Sequence, residues 1–227
     1  MTKSSGTILD GGSRPDGRGA GTAPRNSASD ATSLHAIVLA AGAATRFGSP
    51  KQLVRIGDRP LLSLIAGRAA EVVGQALIVV LGAQAAELAP LLRHSPACIV
   101  VNRFWREGIG SSIRAGVAHL PASCDGVMLV LADQARVTAD DLRRLAGTWR
   151  RQPLSIAAAR YGATVGVPAI FPRYFFGELG ELKGDTGARR LFTRHSDFLV
   201  KVPMSSAAFD LDTPADLLEL NRSEASQ

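Results

Sequence analysis

The stretch "HAIVLAAGAATRFGSPK", His35 to Lys51, joins an apolar run to a loop that carries Gly42, Gly48, Arg46 and one of the four lysines of the chain. The apolar half reads as a buried strand over His35 to Ala41. In the loop, glycines allow a tight turn and close approach to a ligand, and free backbone amides can donate to phosphate oxygens. Arg46 and Lys51 add positive charge. The loop lacks the second glycine of a GxGxxG dinucleotide fingerprint, and its lysine follows Gly48 too late for a Walker A cradle. A plain strand-to-helix turn with surface cations is the alternative reading.

The pattern repeats downstream. Further strands are expected at Ala76–Gly82, Cys98–Asn102, Gly126–Asp133, Ser155–Tyr161 and Asp197–Pro203. Amphipathic helices are expected at Pro60–Val73, Ala83–Leu92, Gly110–Leu120, Thr138–Arg151 and Thr213–Leu220. Apolar runs alternating with helical stretches predict an α/β fold with three α/β/α layers and a mainly parallel, Rossmann-like sheet. Ligands of such sheets bind beyond the carboxyl ends of the strands. The residues there read "AGAATRFGSPK", "NRFWREGIGSS" and "ADQARV".

The first 33 residues are rich in Gly, Ser, Thr, Ala and Asp and predict a disordered tail. One domain is expected over 34–221, followed by a short tail over 222–227. No apolar run approaches the roughly 20 residues that span a bilayer, and the amino terminus lacks the apolar core of a secretory signal. No membrane association and a cytoplasmic location are therefore expected. The formal charge of +6 is spread as single arginines without a dense basic block or interleaved aromatics, which argues against a nucleic-acid partner. Cys98 and Cys124 form no CxxC, and the four histidines are scattered, so zinc or iron constellations are not expected.

Two acidic positions stand out. Asp133 ends a strongly apolar strand, where a carboxylate is costly unless solvated or ligated; magnesium is the economical partner. Asp212, with Asp210 beside it, precedes the last helix, and "DTPAD" is equally a good helix start. Ser111 and Ser112 open another helix, where they serve either as caps or as ligand contacts.

Taken together, "LAAGAATRFGSPK", "NRFWREGIGSSIRAG" (Asn102–Gly116), "LADQ" (Leu131–Gln134), "GVPAIFP" (Gly166–Pro172), "GDTGARRLF" (Gly184–Phe192) and "DLDTPADL" (Asp210–Leu217) resemble the molybdenum cofactor cytidylyltransferase group of the MobA-like NTP transferases. The resemblance runs from Ile37 to Leu220. It implies transfer of CMP from CTP to the phosphate of the molybdenum cofactor, with magnesium or manganese as the ion. It assigns catalysis to Lys51, Arg46 and Asp133, and the metal to Asp133 and Asp212. Leu39, Ala40, Ala41, Gly42, Lys51, Asn102, Ser111 and Ser112 would hold the nucleotide; Gly184, Asp185 and Arg189 would meet the acceptor. Asp185 and Thr186 are also candidates to cap the helix that follows, and "GVPAIFP" reads as a packed wall. A molybdenum hydroxylase or its maturation factor is the implied protein partner. The chain departs from the group after "LADQ", where Ala135 and Arg136 stand in place of the usual proline. Two alternatives remain: a transferase acting on a sugar phosphate or methylerythritol phosphate, and a non-catalytic carrier of the cofactor.

Overall fold

A computed structural model describes residues 32–43 and 50–224. The chain divides between Ala31 and Thr32, and all that follows concerns the second unit. Arg46 and Gly48 lie outside the described residues.

Seven strands build the main sheet: β1 (Leu34–Ala40), β4 (Leu77–Leu81), β5 (Cys98–Val101), β6 (Gly126–Leu131), β7 (Ile156–Tyr161), β8 (Thr164–Pro172) and β9 (Leu199–Pro203), in the order β5-β4-β1-β6-β8-β7-β9. The pairs β1–β4, β1–β6, β4–β5 and β7–β9 are parallel, whereas β8 runs antiparallel to both its neighbours. Two short strands, β2 (Arg55–Ile56) and β3 (Arg59–Pro60), form a separate hairpin whose turn holds Gly57 at φ +55°.

Strand alternation sorts the core into two layers. In β1, Ala36, Val38 and Ala40 face one side together with α1 (Leu61–Val73), α2 (Ala85–Leu88), α4 (Ala139–Arg151) and Leu220 of α7 (Pro214–Glu224). Ile37 and Leu39 face the other side, with α3 (Ile109–Val117), α5 (Phe176–Gly180) and α6 (Arg189–Arg194). The expected three-layer, mainly parallel architecture is what the chain adopts. Burial on both faces explains why these strands read as continuous apolar runs rather than alternating ones.

Two expected elements differ in detail. The helix expected over Ala83–Leu92 is one α turn followed by a 3-10 turn at Ala89–Leu92, because Pro90 has no amide to continue the ladder. Helix α7 runs to Glu224, past Leu220 where the sequence places its end.

The segment "GVPAIFP" departs from expectation. It belongs to β8, a central strand, although Pro168 and Pro172 argue against such a placement. The register explains the tolerance. Ala158 of β7 pairs with Ala169, but its neighbour Ala159 pairs with Gly166, so Val167 and Pro168 bulge out of that ladder. The pairing with β6 stops at Ala169. Pro168 therefore sits where no ladder amide is required.

Trp149 of α4 is buried against Gly126, the first residue of β6. A Cβ on Gly126 would meet the indole at Cζ2 and would stand 2.6 Å from Cη2. Helix α4 begins with a capping box, in which Thr138 Oγ1 accepts from the Asp141 amide and Asp141 Oδ2 accepts from the Thr138 amide. Asp141 Oδ2 also accepts from Ser206 Oγ at 2.7 Å. Burial opposes charge on Asp141, but the bonds from Ser206 and Thr138 and the Arg144 contact outweigh it and hold the carboxyl below its ordinary range.

Two outcomes follow from this packing. Gly126→Ala forces an overpacked contact against a side chain with no room to move, and a loss of about 1–3 kcal/mol is expected in chemical denaturation. A depressed folded pKa stabilises above the unfolded value and loses that contribution as the pH falls through the folded value. The stability advantage of the native chain over Asp141→Asn should therefore be full above about pH 5 and shrink below about pH 4, as read from denaturation midpoints across that range.

Candidate active site

The parallel strands deliver their carboxyl ends to one edge of the sheet, and most of the expected site residues gather there. Lys51 opens a 3-10 turn, Lys51–Leu53. Its Nζ donates to Asp133 Oδ2 at 2.8 Å and to Asp212 Oδ1 at 2.7 Å. Desolvation works against the ammonium, but Asp133 first and then Asp212 outweigh it and raise its pKa above the usual lysine value. Asp133 Oδ1 is buried without a hydrogen-bond partner.

Backbone geometry brings the two carboxylates together. The amide of fully buried Leu211 donates to the carbonyl of Asp133 at 2.9 Å, clamping the 210–212 segment onto the end of β6. Capping of α7 falls to Thr213 and Asp216: Asp216 Oδ2 accepts from the amides of Asp212 and Thr213, and Thr213 Oγ1 accepts from the Asp216 amide. The helix start implied by "DTPAD" is therefore present, but it occupies Thr213 and Asp216 and leaves the Asp212 side chain for Lys51. Asp210 is the third acid of the cluster. Its pKa is raised to about 6 by desolvation and by the charges of Asp133 and Asp212, with Lys51 opposing. Among the described residues no group of three or more His, Cys, Asp or Glu side chains is arranged to hold a metal ion.

The loop after "LADQ" is well held. The Ala135 amide donates to the Asp133 carbonyl at 2.8 Å, a bond that proline could not make. Arg68 Nη1 donates to the carbonyls of Ala135 and Val137. Arg136 pairs with Glu219 of α7 at 2.8 Å and stacks over Phe209 at 4.0 Å.

Two cavities adjoin along this edge. The smaller, of about 410 Å³, is lined by Leu39, Ala41, Gly42, Trp105, Ser112 and Asp133, among others. The larger, of about 650 Å³, is lined by Gln134, Tyr161, Val167, Arg189 and Asp210, among others. Leu39, Ile109, Leu131 and Asp185 line both. Burial first and Asp210 second raise the pKa of the Tyr161 hydroxyl, and the positive charge of nearby Arg189 opposes the rise. Gly184 lines a neighbouring groove of about 1010 Å³ with Arg114, Glu178 and Arg190, and Thr186 and Arg190 also line the larger cavity.

Several expected contacts do not reach a cavity. The Ala40 side chain points to the opposite layer, beneath α1, since neighbours on a strand alternate. Asn102 is buried and internally committed: its Nδ2 donates to Ser111 Oγ at 2.8 Å and Ser112 Oγ at 3.0 Å, while Oδ1 accepts from the Phe104 amide. Ser111 donates within the same knot, to Phe104 and Gly108 carbonyls. It caps nothing; the residue at the cap of α3 is Gly108, at φ +97°. Asp185 and Thr186 do not cap α6, which starts at Arg189 with Ala188 at the cap position and no side-chain cap. Instead Thr186 bonds back to the Lys183 carbonyl, and the 184–185 turn lies so close to Gly108 that a Cβ there would stand 2.6 Å from the Gly184 carbonyl oxygen.

Other residues here carry no local sequence signal. Gln52 and Gln84 donate to the carbonyls of Gly42 and Ala43, both at 3.4 Å, and so hold the start of the glycine-bearing loop. Gln134 donates to the Val167 and Ala207 carbonyls at 3.0 Å each and ties the β8 bulge to the segment before Asp210. Gly82 is small because an added Cβ would stand 2.5 Å from the Ala41 carbonyl oxygen and 2.9 Å from Trp105 Cβ. Trp105 lines the smaller cavity and carries the Arg106 guanidinium 4.4 Å above its ring.

No helix among the described residues is long and apolar enough to cross a membrane. Residues 36–198 match the MobA-like NTP transferase domain. Nicotine blue oxidoreductase of Paenarthrobacter nicotinovorans is 30% identical over 201 residues, covering 81% of this chain and 94% of that protein. Bifunctional protein GlmU of Paracidovorax citrulli is 30% identical over 172 residues, 73% of this chain but only 34% of its own length. Among solved structures, the Mycobacterium sp. strain JC1 homologue of Mycobacterium tuberculosis Rv0371c superposes with a TM-score of 0.72 at 30% identity, covering 86% of this chain and 98% of that one. Mycobacterium tuberculosis Rv0371c in complex with manganese gives 0.65 at 28% identity, covering 85% and 100%. The chain belongs to the MobA-like NTP transferase domain family and is, by that membership, a nucleotidyltransferase.

Proposed function

We propose that this nucleotidyltransferase moves CMP from CTP to the terminal phosphate of the molybdenum cofactor, releasing pyrophosphate and supporting maturation of molybdenum hydroxylases. The observation that carries the reading is the lysine shared by two carboxylates beside a pair of adjoining cavities, Asp133 lining one and Asp210 the other. A transferase that joins two phosphorylated substrates needs two compartments meeting at a charged centre; a carrier of one cofactor needs only one.

Asp133 and Asp212 suit a divalent ion. Asp133 has a buried oxygen without a partner, and magnesium takes one or two carboxylates while completing its shell with phosphate oxygens and water. A manganese-bound relative supports the same choice of ion class. Such an ion, when bound, offsets negative charge on the reacting phosphates.

The rest falls to side chains and backbone of this chain. An oxygen of the acceptor phosphate attacks the α-phosphorus; that P–O bond forms as the bond to the β-phosphate bridging oxygen breaks, and pyrophosphate departs with the electron pair. No protein nucleophile is needed, so positioning and charge dominate. In this reading the smaller cavity takes the nucleotide, with Leu39, Ala41 and Gly42 along its wall and the Ser112 hydroxyl within reach. Lys51, with Arg46, offsets triphosphate charge. The larger cavity takes the acceptor, with Arg189 and Asp185 facing it. Asn102 and Ser111 act on the nucleotide indirectly, by holding the start of α3 that presents Ser112.

One assay tests the assignment: pyrophosphate release from each of the four NTPs with magnesium and isolated molybdopterin, sugar phosphates or methylerythritol phosphate as acceptor. Turnover with CTP and molybdopterin is expected, and Lys51→Ala should lower its kcat/KM about 10²–10³-fold. Turnover with another base or another acceptor alone overturns the substrate assignment; none with any pair favours the carrier.

A further inference from the structure

We propose that Lys51 is a stand-in cation that exchanges with the divalent ion: the ammonium neutralises the Asp133–Asp212 pair until the ion arrives, and is then expelled to the triphosphate. The inference rests on the transferase reading above and adds an order of events to it.

Nζ spends two of its three donors on Asp133 Oδ2 and Asp212 Oδ1, at 2.8 and 2.7 Å. The backbones that carry these carboxylates are held side by side by the Leu211–Asp133 bond and by the Asp216 bonds at the start of α7, so both acids stay in reach of one another when the ammonium leaves. Asp133 and Asp212 would hold a divalent ion through the same carboxylate oxygens that the lysine now occupies. Ammonium and dication cannot both stay, because like charges a few ångströms apart repel strongly in a partly desolvated site. The displaced ammonium, on a flexible four-carbon stem, needs a new anion, and the nucleotide supplies one. Metal and nucleotide binding are then coupled, and by linkage each strengthens the other by the same factor.

Manganese titration of the full chain without nucleotide, followed by the paramagnetic resonance of the free ion, provides the test. Lys51→Met keeps the stem and removes the charge. It should bind manganese at least about tenfold more tightly than the native chain, and CTP should no longer tighten manganese binding as it does in the native chain. Equal or weaker binding by the folded variant, or no manganese binding by either protein, overturns the exchange. Should the variant fail to fold, acetylation of the native chain read by mass spectrometry decides the same question. Manganese alone should speed labelling of Lys51 and manganese with CTP should suppress it; an unchanged rate overturns the proposal. Exchange without pyrophosphate release would sink the transferase reading alone, and pyrophosphate release with unaltered manganese affinity would sink the exchange alone.

Discussion

The interaction on which the site depends is a single ammonium shared by two carboxylates that lie 82 and 161 residues from it in the chain. Isolated, each acid would be a burden: Asp133 lies in the turn just after the apolar strand β6, and Asp210 shows the cost, its carboxyl held up at about 6 by desolvation and by the charges of Asp133 and Asp212. One cation satisfies both members of the pair. It also links the first crossover of the sheet to the loop before the last helix.

The backbone makes that contact reproducible. The sheet places the end of β6 beside the end of β1, and the Leu211 amide registers the 210–212 segment against Asp133. Gln134, the next residue, bonds to the carbonyls of Val167 and Ala207. The bulge of β8 is therefore part of the site: Val167 within it lines the larger cavity and offers its carbonyl to the Gln134 side-chain amide. A proline-bearing antiparallel strand in the middle of a parallel sheet is tolerated because the bulge removes the need for its missing donor.

The departure from the usual proline after "LADQ" has a structural consequence. With Ala135 the loop gains an amide, which bonds to the Asp133 carbonyl, and with Arg136 it gains a bridge to Glu219 and Phe209. Rigidity that proline would supply through its ring is supplied here by hydrogen bonds and an ion pair, on the side of the loop away from the cavities.

The sequence alone determined the layered α/β class, because apolar runs and amphipathic stretches carry their periodicity locally, and it placed Lys51 and Asp133 after strands, where such sheets bind ligands, and Asp212 just before the last helix. It also placed a helix over Thr138–Arg151, and the structure begins α4 at Ala139 with Thr138 as its cap. It did not reveal β8, whose prolines contradict strand preference until the register with two neighbours is known. Nor could it separate Ser112, which lines a cavity, from Ser111 and Asn102, whose polar atoms are consumed in an internal knot, or show that Ala40 faces the opposite layer from Leu39 and Ala41. Which polar groups remain available to a ligand depends on partners distant in the chain, and only the tertiary structure decides who those partners are.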